Sequence, residues 1–182
     1  MHQNPIEHIL SFWFGVQDQK AWFAVDEAFD RQIRDSFGHL VLPATAGTLD
    51  AWTGTPDGAL ALVLVLDQFP RNIHRGTPQA FASDAKAREV ARDLIAAGTD
   101  RQVPIERRPF LYMPLEHSER LEDQERCCEL MATVENPMML DYALRHREVV
   151  ARFGRFPHRN RILGRTSTPE EEAFLQEPGS SF

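Results

Sequence analysis

"ALALVLVLDQF", residues 59–69, sets eight apolar residues in succession ahead of an aspartate. A buried strand and a buried helix both present such a run, and periodicity alone does not separate them. A strand needs neighbours to take its backbone N–H and C=O groups, and no convincing partner strands occur elsewhere in the chain. The run therefore predicts a central helix buried on all sides. Pro70 is expected to end it, because proline lacks an N–H and crowds the preceding turn. Asp67 then stands at the foot of an apolar helix, where an unpaired carboxylate would be very costly. An arginine from 155–161 is its expected partner.

Outward from this helix, one start signal recurs. Asn4-Pro5, Thr55-Pro56, Thr77-Pro78, Asn136-Pro137 and Thr168-Pro169 each place a side-chain acceptor before a proline. The acceptor caps exposed backbone donors, and proline's fixed φ suits the first helical position. Glu7 and Glu171 stand three residues after their caps, a capping-box spacing. Apolar stripes agree: Ala87, Val90, Ala91, Leu94 and Ile95 share one face, as do Met139, Tyr142, Ala143, Val149, Val150 and Phe153. Helices are expected near 5–15, 26–38, 48–53, 57–69, 83–97, 105–112, 118–132, 137–153, 158–163 and 169–176. Short connections favour antiparallel pairs stacked side by side. The class is all-α, in one domain over residues 1–182.

Composition narrows the function. A formal net charge of −7 argues against a general nucleic-acid or membrane-surface binder. Lys20 and Lys86 are the only lysines, so the positive charge is nearly all arginine. Cys127 and Cys128 are adjacent, which suits neither a long-range disulfide nor a zinc pair and points to a reduced cytoplasmic protein. No secretory signal is visible, and the eight-residue apolar run falls far short of the roughly 20 residues that span a bilayer.

One stretch runs against the acidic balance. "FGRFPHRNRILGR", residues 153–165, carries four arginines and a histidine with no acid. It has an echo: "QFPRNIHRGTP" (68–78) and "RFPHRNRILGRTSTP" (155–169) both read Phe-Pro, an optional histidine, Arg-Asn, then Gly and Thr-Pro. Each follows a long apolar helix and leads into a helix start. As structure, these are two elbows whose proline, asparagine and arginine stop a helix and cover its last carbonyls. As function, they bring guanidinium forks suited to carboxylate or phosphate. The residues alone leave both open. The stretch lacks the interleaved surface aromatics of a nucleic-acid stacking platform.

"LDQFPRNIHRG", "PLEHSE" and "RFGRFPHRN..LGRTSTPEE", with "WF" at 22–23 and "FD" at 29–30 upstream, resemble the bacterial domain-of-unknown-function 924 family. The likeness spans nearly the whole chain. It implies an all-helical fold of the tetratricopeptide-repeat-like superfamily, a right-handed superhelix of stacked helix pairs. It implies no reaction, substrate or catalytic residue, and the 34-residue repeat signature is not readable here.

The candidate site follows from these residues. Asp67, Arg71, Arg75, Arg155, His158, Arg159 and Arg165 are the expected binding residues where the elbows meet, with Arg71, Arg155 and Arg159 holding a small anion or a peptide carboxylate and Asp67 shaping the pocket. His117 and Glu119 of "PLEHSE", with Ser118 as a helix cap, and His146 within its apolar stripe are expected to shape or gate that pocket. They are also the candidates for catalysis in a second reading, a hydrolase-type enzyme acting on an anionic substrate. A third reading is a scaffold in which the polar cluster only holds the core together. His-x-Glu without Pro-Cys-x-x-Cys excludes a zinc deaminase, and no His-Glu-x-x-His, phosphate loop or Gly-x-Ser-x-Gly elbow occurs. A metal site from His117, Glu119 and His146 joins residues far apart in sequence, and no metal or cofactor is expected. The expected partner is a small anionic ligand or peptide, with neither nucleic acid nor membrane.

Overall fold

Among residues 4–16 and 22–181, which the computed structural model of the chain describes, all regular structure is helical and no strand occurs. The helices are α1 (Pro5–Phe14), α2 (Glu27–Thr45), α3 (Pro56–Val63), α4 (Phe69–Ile73), α5 (Asp84–Ala96), α6 (Pro109–Glu116), α7 (Leu121–Met131), α8 (Pro137–Phe153) and α9 (Pro169–Phe174). Four of the five proline-preceded acceptors cap a helix: Asn4 accepts from Ile6 N, Thr55 from Gly58 N, Asn136 from Met139 N, and Thr168 completes a capping box with Glu171. Thr77 instead donates its hydroxyl to His74 O at 2.8 Å.

The apolar run is the centre of the molecule. Residues 59–66 are 0% exposed, and α3 packs against α1, α5, α6 and the 3-10 turn Asp50–Gly54. The helix approaches that turn closely enough that a Cβ on Gly58 would collide with the Trp52 carbonyl. Trp13 of α1 lies among the rings of Trp22, Phe29, Phe69 and Phe110. A smaller satellite core of Val149, Val150 and Phe156, flanked by Phe153 and Phe174, seals the C-terminal elbow. Gly154, at φ 68°, ends α8 in the left-handed conformation that a side chain would strain.

Pro70 does not end the central helix. Residues Leu64–Gln68 widen into a π turn, Phe69 N–H donates to Leu64 O, and the chain continues as α4 to Ile73. The wider turn gives the proline ring the room that a regular helix denies it. Leu66 O is the α-helical acceptor for residue 70, to which proline offers no donor. Ser83 Oγ donates there instead, at 2.6 Å. Other elements differ from expectation as well. The helix expected over 158–163 is only the 3-10 turn Pro157–Arg159, and that over 48–53 is the 3-10 turn Asp50–Gly54. Helix α2 runs past Gly38 to Thr45. Helix α6 begins at Pro109 and keeps Pro114 inside it, so that Glu116 becomes its last residue. No helix among the described residues is long and apolar enough to cross a membrane.

Because Ser83 substitutes for a missing backbone donor, Ser83→Ala is expected to cost about 1–3 kcal/mol of unfolding free energy by urea titration. The loss should shrink in a Pro70→Ala background, which restores an N–H. An equal loss in both backgrounds would contradict the assigned role.

Candidate functional site

Asp67 sits on the π turn, 0% exposed, and every partner it has comes from a different constraint. Its Oδ1 lies 2.8 Å from His117 Nδ1, and Gln68 Nε2 donates to Oδ2 at 2.6 Å. The cation beside it is Arg71, one helical turn along, at 3.3 Å. The expected partner from 155–161 is thus corrected: the π turn carries Arg71 back over its own helix, and no longer reach is needed. Burial alone would raise the Asp67 carboxyl, but Arg71 and His117 outweigh it and hold the group well below the usual carboxylate range.

Arg71 continues outward. Its two terminal nitrogens grip Asp84, at the start of α5, at 2.8 and 3.0 Å. Arg159, from the second elbow, reaches the same Asp84 carboxylate at 3.5 Å. Two of the elbow arginines, 88 positions apart, therefore meet on one acid. Arg159 is 6% exposed and lies over the rings of Phe81 (4.7 Å) and Phe156 (4.5 Å). Its Nε has no hydrogen-bond partner. Burial, with the Arg71 charge nearby, brings its pKa down to about 10.

The other elbow arginines are taken up locally. Arg75 forks onto Asp30, where Asn72 also donates at 2.7 Å. Arg155 forks onto Glu171, where Asn160 also donates at 3.2 Å, and binds Thr166 O besides. The sequence echo thus has a structural counterpart: in each elbow, asparagine and arginine share one carboxylate brought from elsewhere. Arg165 forks onto Glu119 and binds Phe156 O. An open surface depression of about 340 Å³ lies beside the first elbow, lined by Asp30, Asn72 and Arg75 but by no residue of the second. One recess holding all the expected arginines is corrected to a narrower junction of Arg71 and Arg159 on Asp84.

The histidines gather around that junction. His117 caps the end of α6, and its ring centroid lies 6.2 Å from that of His146 on α8. Burial and the Arg71 charge lower the pKa of His117. His146 Nδ1 lies 2.8 Å from Tyr142 O, and its ring meets Phe156 edge-on. Burial, then His117, takes it to about 3. His158 packs on Phe156 and is lowered to about 4 by burial and Arg159. Glu119, expected beside His117, points instead to Arg165 and accepts from Phe156 N at 2.8 Å. Glu116 takes its place: it is buried, 3.4 Å from His146, and pushed up to about 8 by burial and by Asp67. Ser118 does not cap α7. It donates to Asp123 and accepts from Arg120 N, and buried Gln124 fastens the turn by donating to Glu116 O and Ser118 O.

The sequence profile described as bacterial protein of unknown function (DUF924) matches residues 9–179. The chain belongs to the DUF924 family. A solved structure titled as a protein of unknown function, ATU0120 from Agrobacterium tumefaciens, superposes with a TM-score of 0.90 at 41% identity. The likeness covers 94% of this DUF924 chain and 96% of that one. No curated protein matches.

Two residues of the DUF924 cluster, Asp84 and Glu116, are missing from the sequence-derived set. Asp84 reads as an ordinary acidic first-turn residue, and its one signal is that Arg71 needs a second acid once Asp67 is buried. Glu116 is masked by Glu119, which shares its motif but lies beyond the end of α6.

The acid response of the second elbow follows from its geometry. Hydrogen bonds from Arg155 hold Glu171 down to about 2, against an ordinary value of 4.5. A lowered folded-state pKa contributes stability above pH 4.5 that is lost as pH falls toward 2. Replacing Arg155 by Met should therefore flatten the fall in unfolding free energy across that window. An unchanged slope would show that the pair is not formed.

Proposed function

We propose that the junction of Arg71 and Arg159 is a recognition site for a small anion or a peptide carboxylate, with Arg159 as its principal donor. The observation that carries this reading is the state of the Arg159 guanidinium. Buried between two phenylalanine rings, it makes one 3.5 Å contact with Asp84 and leaves Nε without a partner. A guanidinium has five N–H donors, and buried donors are ordinarily satisfied. A carboxylate or phosphate would supply the missing acceptor and gain from the desolvated, charge-assisted geometry. Asp84, on the shared edge, already holds an internal carboxylate against both arginines. Arg75, Arg155 and Arg165 leave the binding set, because internal acids occupy their forks.

A specific observation favours a second reading, hydrolysis of an anionic substrate at the same place. Ionised Asp67 accepts from His117 Nδ1 and so fixes the tautomer whose Nε2 can take a proton, the task an aspartate performs behind a catalytic histidine. Arg71 and Arg159 would then stabilise developing negative charge.

The wider setting belongs to the same proposal. Packing of α5 on α6, α6 on α7 and α7 on α8 supports a superhelical stack of the tetratricopeptide-repeat-like kind. Free Cys127, buried against Tyr112 O, supports a reducing cytoplasmic location. The partner is a small molecule or peptide, not nucleic acid or a membrane.

Thermal melting in the presence of phosphate or succinate tests the anion reading. A saturable rise is expected, corresponding to about 2.7 kcal/mol at a hundredfold excess over Kd. Arg159→Met should melt cooperatively and lose the rise. No rise, or an equal rise in the variant, would refute it. For the second reading, His117→Ala should end turnover of ester or phosphoester substrates while the anion-induced rise persists. Turnover unaffected by His117→Ala would refute that reading.

A further inference from the structure

We propose that Glu116, His117 and His146 form a binding site for a divalent transition-metal ion of the zinc type. The inference does not depend on an anion at Arg159. It is the one group of three such side chains among the described residues whose ligand atoms, one from each, lie within 4.8 Å of one another. Two imidazoles and a carboxylate are the donor set of three-ligand zinc sites, which keep a fourth position for water or substrate. Imidazole donors favour zinc, nickel or cobalt over magnesium and calcium.

Three further observations support the assignment. The first is the set of groups behind the ligands. Asp67 Oδ1 lies 2.8 Å from His117 Nδ1, and Tyr142 O lies 2.8 Å from His146 Nδ1. An ionised carboxylate and a carbonyl only accept, so each Nδ1 carries the proton and each Nε2 the lone pair; Glu116 Oε1, 3.4 Å from His146 Nδ1, must turn toward the Nε2 side to share an ion. A metal-ligating histidine is ordinarily held in this way, by a carboxylate or a backbone carbonyl on its other nitrogen.

The second is the local charge balance. Asp67 and Asp84 are matched by Arg71 and Arg159, whereas Glu116 has no arginine or lysine within ion-pair distance among the described residues. It is nevertheless 5% exposed. A bound cation is the counter-charge that this buried carboxyl group would need in order to ionise.

The third is rigidity. Glu116 and His117 are consecutive at the end of α6, where Gln124 fastens the backbone on both sides of His117, and the Cys127 thiol lies against Glu116 Oε2. Ligands of a tetrahedral zinc, each about 2.0–2.2 Å from the ion, stand about 3.4 Å apart. Closing around an ion thus asks for inward side-chain shifts on the order of 1 Å.

The test is titration of the metal-stripped full-length protein with Co2+, read by visible d–d absorption and by calorimetry, then repeated with Zn2+. One equivalent should bind, with the absorption of a four- or five-coordinate ion. Glu116→Gln and His146→Gln should each weaken Co2+ binding by about a hundredfold or more. His117→Gln, at the more exposed ligand, should do the same if the buried substitutions disturb folding, which circular dichroism reports. Glu119→Gln should bind as the parent does, since Glu119 belongs to Arg165. Absence of stoichiometric binding, or affinity unchanged in His117→Gln and Glu116→Gln, would overturn the proposal.

Discussion

A single carboxylate with no access to water, that of Asp67, organises this molecule. The apolar helix places it where neither solvent nor an unpaired charge is tolerable, so four neighbours must be positioned around it. Gln68 and Arg71 come from its own helix, His117 from the end of α6, and Asp84 enters because Arg71 has donors to spare. Each partner then constrains its own element. The fork of Arg71 onto Asp84 fixes the start of α5, and the His117 contact fixes the turn between α6 and α7. A polar device that joins three elements through a hydrophobic core is costly to half-complete, because one missing partner strands a buried charge.

That constraint also accounts for the π turn. A regular helix through Pro70 would meet the proline ring with the Leu66 carbonyl. Widening by one residue relieves the clash and lets the helix run on far enough for Arg71 to fold back over Asp67. The π turn and the polar cluster are thus two sides of one arrangement.

Much of the fold was legible because its signals are local. The proline-preceded caps and the eight-residue apolar run depend on neighbours within a turn, and the helices they announce are present except at Thr77-Pro78, where only the 3-10 turn Pro78–Phe81 forms. The continuation of the central helix past Pro70 is not legible locally, because the π turn that admits the proline leaves Leu66 O to Ser83, from another element. The site was legible only in outline. Asp67, Arg71, His117, His146 and Arg159 do cluster. Arg75, Arg155 and Arg165 were indistinguishable from them in sequence, since what removes them is a carboxylate 16 to 46 positions away. Glu116 and Glu119 differ by three positions, yet the end of α6 falls between them and gives them different partners, His146 for Glu116 and Arg165 for Glu119.

Asp67 is ionised and paired with Arg71 inside the core. A double-mutant cycle measures that dependence, with Asp67→Asn, Arg71→Met and both together followed by denaturant unfolding. Arg71→Met, which leaves buried Asp67 without its cation, should cost about 3–5 kcal/mol; Asp67→Asn should cost less, since Asp84 still holds Arg71, and the double change should cost less than the sum. Small single losses that simply add would mean that the two groups do not depend on each other.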